Sequence, residues 1–202
     1  MPEPLKKSEV DAQHDPSVTK QYDTSTSSAQ KLQGLYELTD SLSIGLLGTY
    51  RPNVGPVGRS MAVAKRSGPD YYFLANGNSK KFGDLASNDA VALTFQNSTT
   101  QDWVSIAGTA TVLEDEADIK PLWREDVKAW FGDLGDGKHD GGPADPRMRA
   151  IKVVPNYAVY WVHGTGKEGF EKEVTEAKDT GKVAQTGTLR ELSREELEEG
   201  RK

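Results

Sequence analysis

Short segments between residues 42 and 162 alternate apolar with polar residues, and a period of two residues predicts β-strands. Two of these segments, Arg149–Val154 and Tyr157–Val162, are separated only by Pro155-Asn156, which predicts a tight hairpin. Successive short strands with few helices between them indicate an antiparallel barrel of six or seven strands rather than a wound parallel sheet. The other predicted strands are Leu42–Tyr50, Val57–Lys65, Tyr71–Asn76, Ala90–Gln96 and Asp102–Leu113.

Helical spacing replaces this alternation in three segments, which predicts a mainly β protein with peripheral helices. These segments are residues 31–41, Ser79 to Ala86, and Glu116 to Phe131, where a break is expected at Pro121. The predicted inner faces are Leu32, Leu35, Tyr36 and Thr39 in the first helix, Phe82, Leu85 and Ala86 in the second, and Leu122, Trp123, Val127, Trp130 and Phe131 in the third.

Both ends of the chain lack a core pattern. Residues 1–25 are polar and are predicted to form a disordered N-terminal arm. Residues 164–202 are predicted to form a peripheral C-terminal arm, with a short helix beginning at Ser193, because Ser193 and Glu196 match a capping box. The predicted domain is therefore 26–163, which holds all four tryptophans.

Composition excludes several classes of protein. The 202 residues carry 25 Lys+Arg against 31 Asp+Glu, a net charge of −6, and no cysteine. Without cysteine the chain has no disulfide, thiol nucleophile or iron–sulfur site, and an acidic balance argues against nucleic-acid binding. No apolar run approaches the roughly 18 residues of a membrane span. We expect a cytoplasmic protein with no nucleic-acid or membrane partner. We also expect no metal, since the acidic residues of 132–146 lack EF-hand spacing.

One segment combines groups that bind anions. The strand ending at Asn76 leads into a Gly-Asn turn, then Ser79 at a predicted helix N-cap, then Lys80 and Lys81. Lysines are unfavourable in the first turn of a helix, so an anion that neutralises them would explain their position. Free backbone N–H groups, a hydroxyl and two ammonium groups suit a phosphate. The alternative is a solvated helix end whose lysines face water.

Arg59 is a second candidate for the same site. If its strand pairs with Tyr71–Asn76, Arg59 lies beside Ser79 and the lysines, on one face with Met61 and Val63. A guanidinium binds phosphate through two parallel hydrogen bonds. The alternative is an arginine in water on an edge strand.

Five segments, taken in order, resemble a known family. They are Arg59-Ser60-Met61-Ala62, Asn76-Gly77-Asn78-Ser79-Lys80-Lys81, residues 103–110, residues 122–131, and Ala158-Val159-Tyr160-Trp161. In order and spacing they resemble the FMN-binding split-barrel superfamily typified by pyridoxine 5′-phosphate oxidase. The chain is most similar to the general stress protein branch, including its fungal blue-light-inducible members, over about residues 30–163.

The resemblance implies a six-stranded antiparallel split β-barrel that forms a homodimer with two FMN molecules at the subunit interface. Arg59, Lys80 and Lys81 would bind the phosphate with help from Ser79, and residues from the helix Trp123–Phe131 would reach the partner's flavin. The residues expected to contact the cofactor are Arg59, Ser60, Met61, Ala62, Leu74, Ala75, Asn76, Ser79, Lys80, Lys81, Trp103 and Trp161.

One departure from the family concerns the substrate. The oxidases follow their tryptophan with an Arg-x-His pair that holds pyridoxal, whereas Trp161 is followed here by Val162-His163-Gly164. We therefore expect no pyridoxine 5′-phosphate oxidase activity.

The leading hypothesis is an FMN-dependent oxidoreductase of unknown substrate, with a role in stress or light responses and a nicotinamide electron donor. No catalytic acid or base stands out in the sequence. Two alternatives stay open: a non-enzymatic module that binds or senses flavin, and a split barrel that uses a deazaflavin instead of FMN.

Overall fold

The alternating segments form one antiparallel sheet. The structure is a computed structural model that describes residues 4–10 and 15–202. The strands of these residues are β1 (Ile44–Arg51), β2 (Gly55–Ala62), β3 (Lys65–Ser67), β4 (Asp70–Asn76), β5 (Ala90–Gln96), β6 (Trp103–Leu113), β7 (Met148–His163) and β8 (Gly187–Leu192). Their order is β2-β1-β5-β6-β7-β4-β3, and β8 pairs with the second half of β7.

The expected six-stranded split barrel therefore differs from the structure in strand count and in closure. The described residues form eight strands, because a short β3 follows β2 and the C-terminal arm contributes β8. The hydrogen-bonded path also stays open, since no ladder joins β2 to β4 in residues 4–10 and 15–202. Between β2 and β3 the chain crosses from one ladder to the other: Val63 N–H donates to Ser43 O, and Ala64 N–H donates to Tyr72 O.

The hairpin predicted at Pro155-Asn156 does not form. β7 runs uninterrupted through both residues, and β6 pairs with it along its length. The ladder shifts register between Ala107 and Gly108, where Tyr157 pairs with Ala107 and Pro155 with Gly108. A proline lacks the N–H that a ladder needs, and a β-bulge is one place where a strand tolerates it. Gly108 permits the close approach, because a Cβ there would collide with Val154 O.

The pairing expected between the Arg59 strand and Tyr71–Asn76 is also absent. β2 pairs with β1 instead, through a short turn that brings Arg51 opposite Gly55. β4 pairs with β3 and with the first half of β7. The β1–β2 hairpin forms because Asn53 (φ +62°) and Gly55 (φ +105°) adopt left-handed backbone conformations that reverse the chain tightly.

The helices surround the sheet. They are α1 (Pro16–Gln21), α2 (Ser28–Leu42), α3 (Lys80–Ser87), α4 (Glu116–Ile119), α5 (Lys167–Thr180) and α6 (Arg194–Glu199), with 3₁₀ turns at Lys7–Glu9 and Glu125–Trp130. α2 buries Leu32, Leu35 and Thr39 as predicted. The break at Pro121 separates α4 from the second 3₁₀ turn. No helix in the described part of the chain is both long enough and apolar enough to cross a membrane.

Both arms contact the sheet. Tyr22 is buried and forms a parallel bridge with Leu189 of β8, and the capping box of Ser193 and Glu196 begins α6 as predicted. Residues 1–3 and 11–14 of the N-terminal arm lie outside the described residues. The domain boundaries at 25/26 and 163/164 stay predictions.

The core fills the space between the sheet and α2. Its largest fully buried side chains include Tyr71, Phe73, Phe95 and Tyr160. A second, smaller cluster packs Leu122 and Ile119 against Met148 and Ala150 of β7. This second cluster holds the 3₁₀ turn Glu125–Trp130 beside β4.

Candidate functional site

The N-terminus of α3 has the form that the sequence predicts, with one difference. Ser79 is the N-cap residue in an extended conformation, but its side chain makes no capping hydrogen bond. Its hydroxyl accepts a hydrogen bond from Lys81 Nζ instead, at 2.8 Å. Asn76 Oδ1 accepts from the backbone N–H of Asn78 at 3.0 Å, which tightens the turn that leads into the helix.

Lys81 is buried without a carboxylate partner. Its side chain is only 9% exposed, and no salt bridge joins it to an acidic residue in residues 4–10 and 15–202. Burial, and then the nearby positive charge of Arg59, lower the pKa of the Lys81 ammonium below 10.5. A buried charge without a partner is costly, so this position favours an anion. Lys80, by contrast, is exposed.

The buried face of α3 differs from the predicted one. Lys81, Asp84 and Leu85 are buried, whereas Ala86 is exposed and Phe82 is only partly buried. The sequence pattern predicted an inner face of apolar residues alone. Asp84 is buried because it binds residues of β1 and β2, and Lys81 is buried with its ammonium bonded to Ser79.

Asp84 is the acceptor at the centre of this polar group. Arg51 of β1 donates to it through Nε at 2.9 Å and through Nη2 at 3.1 Å. Arg59 Nη2 and Thr49 Oγ1 each donate to Asp84 Oδ2 at 2.9 Å, and Arg59 Nη1 donates to Thr49 Oγ1 at 2.8 Å. These bonds, led by that from Arg51, lower the pKa of Asp84 to about 2. We refer to Thr49, Arg51, Arg59, Lys81 and Asp84 as the α3 cluster.

The sequence predicted two of the five residues of the α3 cluster. Arg59 and Lys81 were predicted, whereas Thr49, Arg51 and Asp84 were not. One sequence feature could have identified Asp84: it follows Lys81 by three residues, so both lie on one face of a helix.

A cleft of about 490 Å³ lies beside Lys81. One wall is formed by β2 and β4, and the opposite wall by residues of the 3₁₀ turn, including Val127, Trp130 and Phe131. The lining is largely apolar, and Trp130 is 85% exposed at this wall. The cleft brings together seven of the residues expected to contact the cofactor: Ser60, Met61, Ala62, Leu74, Ala75, Asn76 and Lys81.

The remaining predicted residues stand in three different places. Ser79 and Arg59 do not line the cleft: Ser79 accepts a hydrogen bond from the Lys81 ammonium, and Arg59 binds Asp84. Lys80 faces solvent. Trp103 and Trp161 form a cross-strand pair at the far end of β7 from the cleft, and neither lines it. A single chain therefore does not bring the two tryptophans to the cleft.

Residues 122–131 contribute to the cleft of their own chain. Leu122, Arg124 and Trp130 line it, and the contact with a partner's flavin that the family resemblance implies stays a prediction. These residues line the cleft because Leu122, Val127 and Phe131 pack against Leu74 and Ala64.

Trp161 lines a second cavity, of about 860 Å³, with His163 and Phe170. The His163 and Phe170 rings lie 5.7 Å apart, and the His163 N–H donates to Asp102 Oδ1 at 2.6 Å. The backbone bond of His163 is typical of a strand end.

The acidic loop of residues 132–146 bonds to itself. Asp145 is buried and accepts hydrogen bonds from Arg147 Nε at 3.0 Å and from the Gly141 N–H at 2.7 Å. Asp136 Oδ2 lies 2.6 Å from His139 Nδ1. The hydrogen bonds that Asp136 and Asp145 make within the chain account for the positions of their carboxylates.

The residues of the cleft fit a phosphorylated, planar cofactor. The unmatched ammonium of Lys81 suits a phosphate, and the apolar walls with a few polar groups suit a ring system. The sheet and this cleft together define an antiparallel β protein with a cleft whose chemistry suits an anionic small molecule.

The chain belongs to the family described as pyridoxamine 5′-phosphate oxidase like, whose model matches residues 30–185. Protein bli-3 of Neurospora crassa is 36% identical over 190 residues, covering 93% of this chain and 91% of that protein. The resemblance found in the sequence is thereby confirmed.

Two solved structures have the same fold. A protein related to general stress protein 26 from Clostridium acetobutylicum is 22% identical, with a TM-score of 0.57, covering 68% of this chain and 92% of the other. General stress protein 26 from Bacillus anthracis is 23% identical, with a TM-score of 0.53, covering 65% and 91%. These similarities confirm a mainly β, antiparallel fold.

Proposed function

We propose that this protein binds FMN and acts as a flavin-dependent oxidoreductase. The observation that carries the proposal is the buried ammonium of Lys81, which lacks a carboxylate partner and stands at a largely apolar cleft. Family membership and the order of the five segments support the same cofactor.

Each group of residues has a role in the proposal. Lys81, Ser79 and Arg59 would hold the phosphate, and exposed Lys80 would close over it from the solvent side. Ser60, Met61 and Ala62 would line the ribityl chain and ring edge on one side, with Leu74, Ala75 and Asn76 on the other. The apolar walls would exclude water from the ring.

Bound flavin would supply hydride or electron transfer, while the chain supplies binding and access. The titratable side chains that line the cleft are Lys81, Arg124 and Asp126, and none of them is a histidine. Hydride or electron transfer at a flavin does not require a histidine, and we propose a nicotinamide as the electron donor. The same observation also favours the second candidate, a flavin-binding module without catalysis.

We further propose a homodimer in which the partner brings its Trp103 and Trp161 to the flavin. Two observations support this. The tryptophan pair lies far from the cleft of its own chain, and the outer face of β1 exposes Ile44, Leu46 and Tyr50. Exposed apolar residues grouped on one face are typical of an interface. Sedimentation at micromolar concentration should give a dimer, and Leu46→Glu should shift it towards monomer; a wild-type monomer would contradict the proposal.

The cofactor is tested by its release from purified protein. Mass spectrometry should identify FMN, and a deazaflavin would redirect the proposal. The K80A/K81A variant should weaken FMN binding far more than riboflavin binding, while K65A/K120A, two exposed lysines elsewhere, serves as the matched control. Equal losses for FMN and riboflavin would refute the phosphate role.

Anaerobic reduction of the bound flavin distinguishes an oxidoreductase from a flavin-binding module without catalysis. FMN-loaded protein is mixed with NADH or NADPH, and bleaching of the flavin absorbance is followed. Rapid bleaching supports an oxidoreductase; bleaching no faster than that of free FMN with every donor supports the module.

A further inference from the structure

The Asp84 carboxylate accepts more hydrogen bonds than are needed to balance its single negative charge. Arg51 already binds both carboxylate oxygens, at 2.9 and 3.1 Å, and this pairing alone neutralises Asp84. Arg59 and Thr49 nevertheless also donate to Asp84 Oδ2. The additional bonds from Arg59 and Thr49 therefore serve to position the Arg59 guanidinium.

Thr49 extends this link. Its hydroxyl donates to Asp84 and accepts from Arg59 Nη1, so the orientation of the hydroxyl is fixed from both sides. Thr49 is 2% exposed, which keeps water from replacing these bonds. The Arg59 guanidinium is thus held at two nitrogens, close enough to Lys81 to lower the pKa of that ammonium.

The charges of the α3 cluster match a phosphate monoester. Arg51, Arg59 and Lys81 contribute three positive charges and Asp84 one negative charge, which leaves +2. A phosphate monoester carries about −1.5 to −2 at neutral pH. Without Asp84 the cluster would be +3, and mutual repulsion would separate Arg59 from Lys81.

We propose that Asp84 is the positioning residue of the phosphate site: with Thr49 it holds Arg59 beside Lys81 and leaves the cluster with the charge that a phosphate monoester neutralises. This inference rests on the proposed FMN function. It assigns to Asp84 an effect on the preference for FMN over riboflavin, although the carboxylate itself does not bind the cofactor.

The test measures binding of FMN and of riboflavin to the full chain by quenching of flavin fluorescence. In Asp84→Asn, FMN affinity should fall about tenfold, as expected for coupled neighbours, while riboflavin affinity stays unchanged. The matched control is Asp89→Asn, an exposed aspartate just beyond α3. Combining Asp84→Asn with Arg59→Gln completes a double-mutant cycle, in which the effect of Asp84→Asn on FMN should largely disappear.

Thr49→Val provides a second variant in case Asp84→Asn does not fold. It removes the hydroxyl bonded to Arg59 and Asp84 but retains every charge and nearly the same shape. FMN affinity should fall about threefold at unchanged riboflavin affinity.

Three results would overturn the inference: unchanged or tighter FMN binding in Asp84→Asn, equal losses of FMN and riboflavin, or an undiminished effect in the Arg59→Gln background. A wild-type protein that binds FMN no better than riboflavin would remove the phosphate site itself, and the inference with it. A wild type that prefers FMN, with a preference that Asp84→Asn leaves intact, would remove only the role of Asp84.

Discussion

Two groups of buried and partly buried polar residues differ in how their charges are matched. In the α3 cluster two arginines bind one carboxylate, whereas the third cation, Lys81, donates to the Ser79 hydroxyl and makes no salt bridge within the described residues. The second group, which we call the terminal seam, consists of Tyr22, Asp23, Tyr157, Arg190 and Glu191. Its carboxylates both have partners: Asp23 binds Arg190 at 2.9 Å, and Glu191 accepts from Tyr22 at 2.7 Å and from Tyr157 at 2.5 Å.

This difference separates a structural role from a binding role. A polar group whose members satisfy one another stabilises the fold, whereas a buried charge without a counter-charge calls for a ligand. Substitutions in the seam should therefore change stability alone, and substitutions in the α3 cluster should change binding more than stability.

The largest effect is expected for Lys81→Met, which removes the ammonium and keeps an apolar stem. FMN affinity should fall about a hundredfold, because a hydrogen bond to a charged group contributes about 1.5–3 kcal/mol. The free energy of unfolding should not fall, since burial already opposes the charge. Fluorescence titration and urea denaturation measure the two quantities, with exposed Lys65→Met as control; a loss of stability with unchanged FMN affinity would reverse the comparison.

Glu191→Ala should change stability rather than FMN binding, which is the opposite of the result expected for Lys81→Met. It leaves the Tyr157 and Tyr22 hydroxyls without their carboxylate acceptor, which should lower the free energy of unfolding by about 2–3 kcal/mol. FMN affinity should stay unchanged. Urea denaturation measures the change against Glu171→Ala, an exposed glutamate of α5, and a weaker FMN complex at full stability would contradict a purely structural seam.

Acidic pH should weaken the α3 cluster because the Asp84 carboxylate becomes protonated. The pKa of this carboxyl is about 2 in the folded chain against an ordinary 3.8. Its stabilisation is therefore present above pH 3.8 and is lost as the pH falls towards 2. Urea midpoints at about pH 6 and about pH 3 should differ more in wild type than in Asp84→Asn. Equal pH dependence in the two proteins would show that Asp84 does not carry the effect.

Alkaline pH should have the smallest effect on the free energy of unfolding, and this effect should arise in the terminal seam. Burial, and then the bond to Glu191, raise the pKa of Tyr157 above its ordinary 10.0. The stabilisation is therefore complete below pH 10 and is lost as the pH rises further. Lys81 has the opposite sign, because its lowered pKa makes the folded state more favourable towards pH 10.5. Tyr157→Phe should reduce the alkaline loss in urea denaturation, whereas Lys81→Met should not.

Local patterns in the sequence predicted most elements of the fold. Alternation located β5 within its observed bounds, and capping patterns located Ser79 and Ser193 at helix starts. Both patterns depend on neighbouring residues alone, so they can be recognised without knowledge of the fold.

Pairing across the sheet could not be predicted in the same way. Pro155 suggested a turn because proline usually ends a strand, but the bulge at Gly108 on the opposite strand accommodates it. The position of Arg59 beside Lys81 was inferred from a pairing of β2 with β4 that does not exist. Arg59 is held against α3 by its bond to Asp84, and its positive charge acts on Lys81 of the same helix.

The site was predicted only in part for a related reason. Hydrophobic periodicity cannot identify buried residues that are polar, so Thr49, Arg51 and Asp84 were missed. Trp103 and Trp161 were carried over from the family resemblance, and their distance from the cleft depends on the course of β7, which local sequence does not reveal.

The parallel bridge between Tyr22 and Leu189 has a consequence for handling the protein. β8 pairs with β7 on one side, and its other edge is covered at Leu189, whose carbonyl accepts the Asp23 N–H at 2.9 Å. An uncovered strand edge is a template for pairing with other chains. Removing residues up to Asp23 would expose that edge, so a shortened chain should aggregate where the full chain does not.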